Sequence, residues 1–174
     1  MKSVLDDSSL SQDARLEYMV PAVRDEWLAI RASRARRPPE YFQGKRERVL
    51  DELWLTGLIF HDQGHILAGT DAGTSFSYPG FSLHDELALL VEAGLTPLEA
   101  LRAATIEPAR FYGTEDSTGS IKTGARADLV LLRENPLTNI QATRSIEAVI
   151  LRGRGLNRAA LDSLMAAVRT QARE

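Results

Sequence analysis

The residue best placed for chemistry is Asp71, in the stretch GTDAG. It directly follows HILAGT (65–70), whose length and apolar character predict a buried strand. In parallel α/β folds, barrels especially, active-site residues collect just past the carboxyl ends of the strands. The alternative is that the Asp71 side chain hydrogen-bonds its own turn, which Asp does very often, and spacing alone slightly favours that alternative.

The chain has three histidines, His61, His65 and His84. HDQGH superficially imitates the helical HExxH zinc motif, but Gly64 and the turn-like composition argue against a continuous helix, and its acidic residue is Asp rather than Glu. Six residues of strand would also place His65 roughly 20 Å from Asp71. We therefore interpret His61 and His65 as solvated turn residues.

His84 is different because it lies in the first turn of the helix that is predicted to follow the Asp71 loop. Its side chain could face the same open end of the predicted sheet as the Asp71 side chain and contact a substrate. An exposed first-turn His beside Asp85 and Glu86 fits the sequence equally well. In both cases the positive end of the helix favours a neutral imidazole.

The composition excludes several kinds of chemistry. The chain contains no cysteine, which excludes thiolate zinc sites, disulfides and cysteine nucleophiles. It has no GxSxG elbow, phosphate loop or GxGxxG fingerprint, so serine-nucleophile, nucleotide and dinucleotide functions have no support. A catalytic zinc normally takes three protein ligands and keeps one position open for water, and this sequence offers only Asp71 and, at most, His84.

Charge and hydropathy indicate a soluble globular protein. The chain has 174 residues, 44% of them hydrophobic, and a formal net charge of -3. Neither sign of charge dominates, and acidic residues closely follow the basic run from Arg31 to Arg37, so we expect no nucleic-acid partner. No apolar run resembles a signal peptide or reaches the roughly 20 residues of a membrane span, so we expect no membrane partner. The default location is cytoplasmic, unless a native N-terminal signal is missing.

Helical and strand patterns alternate along the chain. Helices are predicted at about 13–35, with an early break at Pro21, and at about 45–60, 82–93, 96–104 and 157–172, with a short helical turn from Pro108. Strands are predicted at 65–70, 119–121, 127–132 and 145–153. One βα unit with a few antiparallel strands leaves 65–70 without neighbours. Its backbone groups therefore need partners from missing sequence or from another chain.

Four motifs follow one another in a recognisable order. They are HILAGTDAG, PGFSLHDELALLVEAGLTPLEALRAATIEPARFYG, GSIKTGARADLVLLRENPL and IEAVILRGR. In this order they resemble the C-terminal portion of the amidohydrolase superfamily, particularly the branch of imidazolonepropionases and amidohydrolase-type Xaa-Pro dipeptidases. The resemblance is close over residues 66–153 and extends to the helices on either side.

The resemblance implies an α/β fold, namely the C-terminal part of a metal-dependent-hydrolase (β/α)8 TIM barrel with part of a small β-sandwich domain. Residues 1–113 would form the barrel segment, with 65–70 as its last strand. Residues 114–156 would supply β-sandwich strands, and residues 157–174 a C-terminal helix. It further implies a metal centre, usually zinc, and hydrolysis of a C–N bond. Asp71 matches the family's last-strand aspartate, which binds metal and shuttles a proton from the attacking water to the leaving nitrogen.

The sequence also departs from the family pattern. Glu107 stands where the T-x-N-P-A motif usually has Asn, and Tyr112 replaces a common Leu. The HxH pair, the Lys or carboxylated Lys and the two middle-strand histidines of the family have no counterparts here. We therefore expect a fragment, inactive alone, that needs the missing N-terminal part or a second subunit to hydrolyse a small cyclic amide or dipeptide-like substrate. The alternative is a non-catalytic assembly or binding module derived from this fold.

Overall fold

The computed structural model describes residues 8–173. Within these residues the chain forms two compact units. The first unit comprises residues 8–52, 71–80 and 162–173, and the second comprises residues 53–70 and 81–161. Asp71 therefore belongs to the first unit, and His84 belongs to the second.

The first unit begins with short helical turns rather than with the predicted long helix. Two 3₁₀ helices, Ser8–Gln12 and Ala14–Tyr18, precede helix α1, Pro21–Arg34. The prediction of an α-helix from residue 13 was therefore wrong in its first part. Proline has no backbone N–H to donate, and its fixed φ suits the first position of a helix, so α1 begins at Pro21 instead of breaking there.

Helix α2, Pro39–His61, is longer than predicted. It ends at His61 because the chain then turns, with Gln63 in the left-handed region at φ 61°, so HDQGH is not a continuous helix. A Cβ at Gly57 would overlap the carbonyl oxygen of Ala93, which shows how closely the helix packs at that point. Large apolar side chains on the last turns of α2 are nevertheless exposed. These are Trp54, Leu55, Leu58 and Ile59.

Three helices build the core of the second unit: α3, Ser82–Glu92; α4, Pro97–Ala103; and α5, Ile106–Phe111. The buried cluster consists of Leu87, Leu90, Leu95, Ala100, Ala103 and Ile140. The predicted capping box at the start of α4 is confirmed. Thr96 Oγ1 accepts a hydrogen bond from the Glu99 N–H, and the Glu99 carboxylate accepts one from the Thr96 N–H at 2.7 Å.

The segment 65–70 corrects a central prediction. It does not belong to any sheet, and its side chains alternate between exposed and half-buried positions, as in an extended chain with one packed face. Ile66 and Ala68 pack against the core cluster, whereas Leu67 is 38% exposed. One backbone hydrogen bond, from the Ala68 N–H to the Ala103 carbonyl at 2.9 Å, fixes its position. A strand needs a neighbouring strand for its ladder, and none lies beside this segment within residues 8–173.

The sheet contains three antiparallel strands in the order β1-β2-β3: β1, Leu129–Leu132; β2, Ile146–Leu151; and β3, Arg154–Asn157. The prediction of one strand over 145–153 was wrong at its end. Arg152 and Gly153 both have positive φ, at 49° and 78°, which is the backbone of a two-residue hairpin turn. Residues 119–121, also predicted as a strand, lie outside the sheet.

Helix α6, Arg158–Gln171, follows β3 directly. The prediction that Asn157 caps this helix is confirmed, because its Oδ1 accepts a hydrogen bond from the Ala160 N–H at 3.0 Å. Among residues 8–173, no helix has the length and apolar character needed to cross a membrane.

Candidate functional site

Asp71 opens a compact loop in the first unit. Its φ of 47° lies in the left-handed region, which Asp adopts more readily than most residues. The loop is closed by backbone hydrogen bonds from Thr74 N–H to the Asp71 carbonyl at 3.2 Å and from Gly73 N–H to the Ser77 carbonyl at 3.0 Å. Asp71 is therefore held at a defined point of a short, internally bonded turn.

The Asp71 carboxylate takes no part in closing this turn. The Thr74 hydroxyl also donates to the backbone carbonyl of Asp71, at 3.1 Å, rather than to its side chain. Within the part of the chain that the structure describes, no group donates a hydrogen bond to the carboxylate, and the residue is exposed. The alternative in which the Asp71 side chain hydrogen-bonds its own turn is therefore not supported, and the carboxylate is available to a ligand.

An aromatic cluster anchors the far end of the Asp71 loop. Phe76 and Tyr78 are buried against Trp27 of α1, with ring centroids 5.6 and 5.3 Å from that of Trp27. The Arg15 guanidinium lies 4.5 Å from the Tyr78 ring centroid and is itself paired with Asp13. Burial, reinforced by the negative charge of Asp13, raises the pKa of the Tyr78 hydroxyl. Phe76 has a φ of 64°, a strained value for an aromatic residue, and burial of its ring offsets that strain.

His84 lies near the start of α3 and is half-buried rather than exposed. The structure brings it together with Thr143, whose Oγ1 is 3.0 Å from His84 Nδ1. Burial, and then the positive charge of Arg144, lower the pKa of His84 below its usual value. The expected neutral imidazole thus agrees with the structure, although burial is the main cause. His84 also lines a cavity in the second unit.

The other two histidines are exposed, as predicted, although His61 belongs to α2 and not to the turn that follows it. His61 is the exposed last residue of α2, and the His65 side chain is 85% exposed. Within residues 8–173, no three His, Asp or Glu side chains come together in a group that could hold a metal ion. Asp71 and His84, the two predicted site residues, also lie in different units. The described residues therefore do not by themselves fit the metal centre that the resemblance implies, and no reaction step through a metal follows from them.

Glu86 is a half-buried carboxyl that sequence reasoning did not select. Burial raises its pKa, and a hydrogen bond from the Gly69 N–H, at a long 3.5 Å, offsets part of that effect. It therefore contacts the backbone just before Asp71, at the end of segment 65–70. The signal in the sequence is its position on the apolar side of α3, one turn from Leu83 and Leu90, where an acidic residue is unusual.

Glu107 is the centre of a second charged group. Its carboxylate accepts hydrogen bonds at 2.9 Å from Arg102 and from Arg110, and the three side chains line a cavity of about 310 Å³. Burial alone would raise the pKa of Glu107, but the two arginines outweigh it and hold the pKa below its usual value. Glu107, which stands where the family motif usually has Asn, therefore has its negative charge compensated by two arginines within hydrogen-bond distance.

This arrangement predicts a loss of stability in acid. An unfolded Glu titrates near 4.5, and the pKa of Glu107 in the folded chain is lower. The stabilisation is therefore complete above pH 4.5 and is lost as the pH falls through the folded-state pKa. In urea unfolding between pH 6 and pH 3, Glu107→Gln should show a smaller drop in stability than the unmodified chain. Glu47→Gln, at an exposed position, is the control. Equal pH profiles for Glu107→Gln and the unmodified chain would refute the prediction.

Comparison with known proteins identifies the class. The sequence profile of the Amidohydrolase family matches residues 40–156, which is more than half of the chain, so this protein belongs to the amidohydrolase family. Its sequence is 40% identical to the ochratoxinase of Aspergillus niger over 90 residues, which are 50% of this chain and 19% of that enzyme. It is 29% identical over 108 residues to the putative adenine deaminase YerA of Bacillus subtilis (strain 168), covering 62% of this chain and 18% of that protein. The chain thus spans about a fifth of the length of these curated relatives.

Solved structures share its fold. A bottromycin amidohydrolase superposes with a TM-score of 0.80 at 24% identity, over 98% of this chain and 38% of that one. A putative prolidase from Bifidobacterium longum matches with a TM-score of 0.62 at 28% identity, over 92% and 38% of the two chains. A Xaa-Pro dipeptidase matches with a TM-score of 0.60 at 27% identity, over 79% and 34%. The predicted α/β class, as part of an amidohydrolase fold, is confirmed, and so is the predicted likeness to Xaa-Pro dipeptidases.

Proposed function

We propose that this chain carries the last-strand aspartate of a metal-dependent amidohydrolase that hydrolyses a C–N bond in a small cyclic amide or dipeptide-like substrate. The observation that carries this proposal is the exposed Asp71 carboxylate. It follows the extended segment 65–70 within the family match, and its own turn does not use it. Deamination of adenine and cleavage of Xaa-Pro dipeptides, which the relatives' names state, both break C–N bonds and support the reaction class.

The proposed role of Asp71 is proton transfer. An exposed carboxylate can accept the proton of an attacking water and deliver it to the leaving nitrogen, so that one group serves as base and then as acid. The backbone bonds of the turn support this role because they fix Asp71 without consuming its side-chain oxygens. Such a carboxylate changes its protonation state during the reaction without disturbing the turn that carries it.

Asp71 is also proposed as one ligand of a divalent metal, with zinc as the first candidate. A hard carboxylate oxygen suits such an ion, and catalytic zinc sites commonly use carboxylate and His ligands. Residues 8–173 hold no group of three suitable side chains, and we propose that the remaining ligands belong to a further part of the fold. The proposal therefore includes a second segment or subunit that completes the metal centre and the substrate pocket, and the chain by itself is proposed to be inactive.

Apolar surface supports the existence of that further part. Trp54 is 68% exposed, and Leu55, Leu58 and Ile59 on the same helix are each close to half exposed. Leu67, on the segment that lacks a neighbouring strand, is exposed as well. Clusters of exposed large apolar side chains mark interaction surfaces in soluble proteins. In the proposed arrangement, the remaining strands and helices of the barrel cover this surface and pair with segment 65–70.

Tryptophan fluorescence tests whether this surface becomes covered. The chain has two tryptophans, and Trp27→Phe leaves Trp54 as the only one. Emission from this variant should be that of a solvated indole when the chain is separate from the proposed second segment or subunit. It should shift to shorter wavelength when that part is bound, in what we call the native assembly. Acrylamide quenching should fall in parallel. Unchanged emission and quenching on assembly would show that the Trp54 surface is not where the rest of the fold packs.

The proposed function is tested with the native protein, purified from its own cells at its natural length and with any bound partner. The assay offers cyclic amides, N-acyl amino acids and Xaa-Pro dipeptides and measures release of the amine product. We expect hydrolysis of at least one of these classes. Failure to hydrolyse any of them would favour the alternative, a non-catalytic assembly or binding module, which further predicts that Asp71→Asn changes nothing.

A further inference from the structure

A cavity of about 850 Å³ lies entirely within the second unit. Helices α3, α4 and α5 form one side of it, and β1 and β2 contribute to the other. Most of the lining is apolar and includes Leu87, Leu101, Pro108, Leu129, Val130 and Ile146. Cavities of roughly 300–1,000 Å³ with apolar walls and a few polar groups are typical of small-molecule sites in proteins. None of the residues proposed for catalysis lines it.

Most of the polar groups in the lining already have partners. The Thr105 hydroxyl donates to the Leu101 carbonyl at 2.7 Å, and the Thr118 hydroxyl donates to the Thr114 carbonyl at 3.1 Å. The two charged residues of the lining, Arg126 and Asp128, are paired with each other. Since these two charges neutralise one another, the cavity suits a neutral ligand better than an ion.

His84 supplies a polar atom, Nε2, that has no hydrogen-bond partner among residues 8–173. The Thr143 hydroxyl has one hydrogen, and it donates this hydrogen to the Ile140 carbonyl at 2.9 Å. Both contacts of Thr143 are satisfied together when its Oγ1 accepts from His84 Nδ1–H, and we assign this tautomer, with the imidazole proton on Nδ1. In the neutral ring, Nε2 is then an unprotonated acceptor. Within residues 8–173, no group donates a hydrogen bond to it.

We infer that this cavity binds a neutral, largely apolar small molecule that donates one N–H or O–H hydrogen bond to Nε2 of His84. The apolar walls supply most of the affinity, and His84 selects for a donor at one point of the ligand. The inference extends the predicted role of His84 as a substrate contact, now with a stated ligand chemistry. It does not depend on Asp71 being catalytic, so the two proposals can fail separately.

The test compares two probes, indole and 1-methylindole, which differ only in that a methyl group replaces the hydrogen on the ring nitrogen. Each is titrated into the ¹⁵N-labelled chain while amide shifts are followed by NMR, and we expect both probes to shift residues of the lining such as Leu83, Thr143 and Ile146. Indole should bind about 3- to 10-fold more tightly, the usual range for one neutral hydrogen bond. Apolar burial alone predicts the opposite order, because the added methyl group is itself apolar.

Two variants assign the preference to His84. His84→Leu should bind both probes with equal affinity or prefer 1-methylindole, whereas His65→Leu, at a side chain that is 85% exposed and outside the cavity, should keep the preference for indole. Equal affinities in the unmodified chain, or shifts that avoid the lining, would overturn the inference and leave the cavity to a polypeptide partner. The comparison of probes needs no substitution, so it stands even if His84→Leu does not fold.

Discussion

In the native assembly, Asp71→Asn should lower kcat by about 10²- to 10⁴-fold, the usual contribution of a positioned general acid–base group. The amide cannot take up the proton of the attacking water or return one to the leaving nitrogen. The turn itself should survive, because its bonds use the Asp71 backbone carbonyl and Asn also tolerates a φ of 47°. The effect should therefore appear in kcat with the circular dichroism spectrum and the melting temperature nearly unchanged.

Asp116→Asn is the matched control for this substitution. The Asp116 side chain is fully exposed, belongs to the second unit and pairs only loosely with Lys122 at 3.4 Å. The same loss of charge at that position should leave kcat within about twofold, since surface substitutions rarely exceed a few tenths of a kcal/mol. If Asp71→Asn also kept full activity, Asp71 would be a structural turn residue and the proposed mechanism would be wrong.

Trp27→Ala should destabilise the chain by about 3–5 kcal/mol, the usual cost of removing a buried aromatic side chain. Trp27 is 3% exposed and contacts both Phe76 and Tyr78, so its removal leaves a void beside the residues that anchor the Asp71 loop. The left-handed backbone of Phe76 would lose the packing that holds it. Urea unfolding followed by circular dichroism measures the change in stability, and hydrogen exchange should show faster exchange over residues 71–80.

The second tryptophan provides the control within the same molecule. Trp54 is 68% exposed, so Trp54→Ala should change the stability of the separate chain by no more than about 0.5 kcal/mol. A loss at Trp27 no larger than that at Trp54 would contradict the view that the aromatic cluster holds the loop. Normal exchange rates over residues 71–80 in Trp27→Ala would contradict it equally.

Local features of this fold could be predicted from the sequence because they depend on residues close together in the chain. The capping box of Thr96 and Glu99 and the cap at Asn157 each need only a few neighbouring residues, and both are present. The end of α2 at His61, the first residue of HDQGH, likewise follows from local turn chemistry. The hairpin at Arg152 and Gly153 carried a usable signal in its glycine, but the apolar run before it suggested one longer strand.

Features that join distant residues could not be predicted in this way. The hydrogen bond between His84 and Thr143 joins residues 59 positions apart, and no periodicity in the sequence predicts it. Local sequence patterns likewise do not predict the contact of the Arg15 guanidinium with the Tyr78 ring. For segment 65–70 the local pattern did give a prediction, but the structure does not show the predicted element. Its composition predicts a buried strand, but no strand among residues 8–173 pairs with it, so it remains extended and partly exposed.

The most direct test of the central claim is the metal content of the purified protein, measured by inductively coupled plasma mass spectrometry. If Asp71 is one ligand of a centre that a further part of the fold completes, the native assembly should hold at least one divalent metal per chain. The separate chain should hold almost none, and Asp71→Asn should lower the metal content of the assembly. Stoichiometric metal in the separate chain, or metal in the assembly that Asp71→Asn leaves unchanged, would contradict the account.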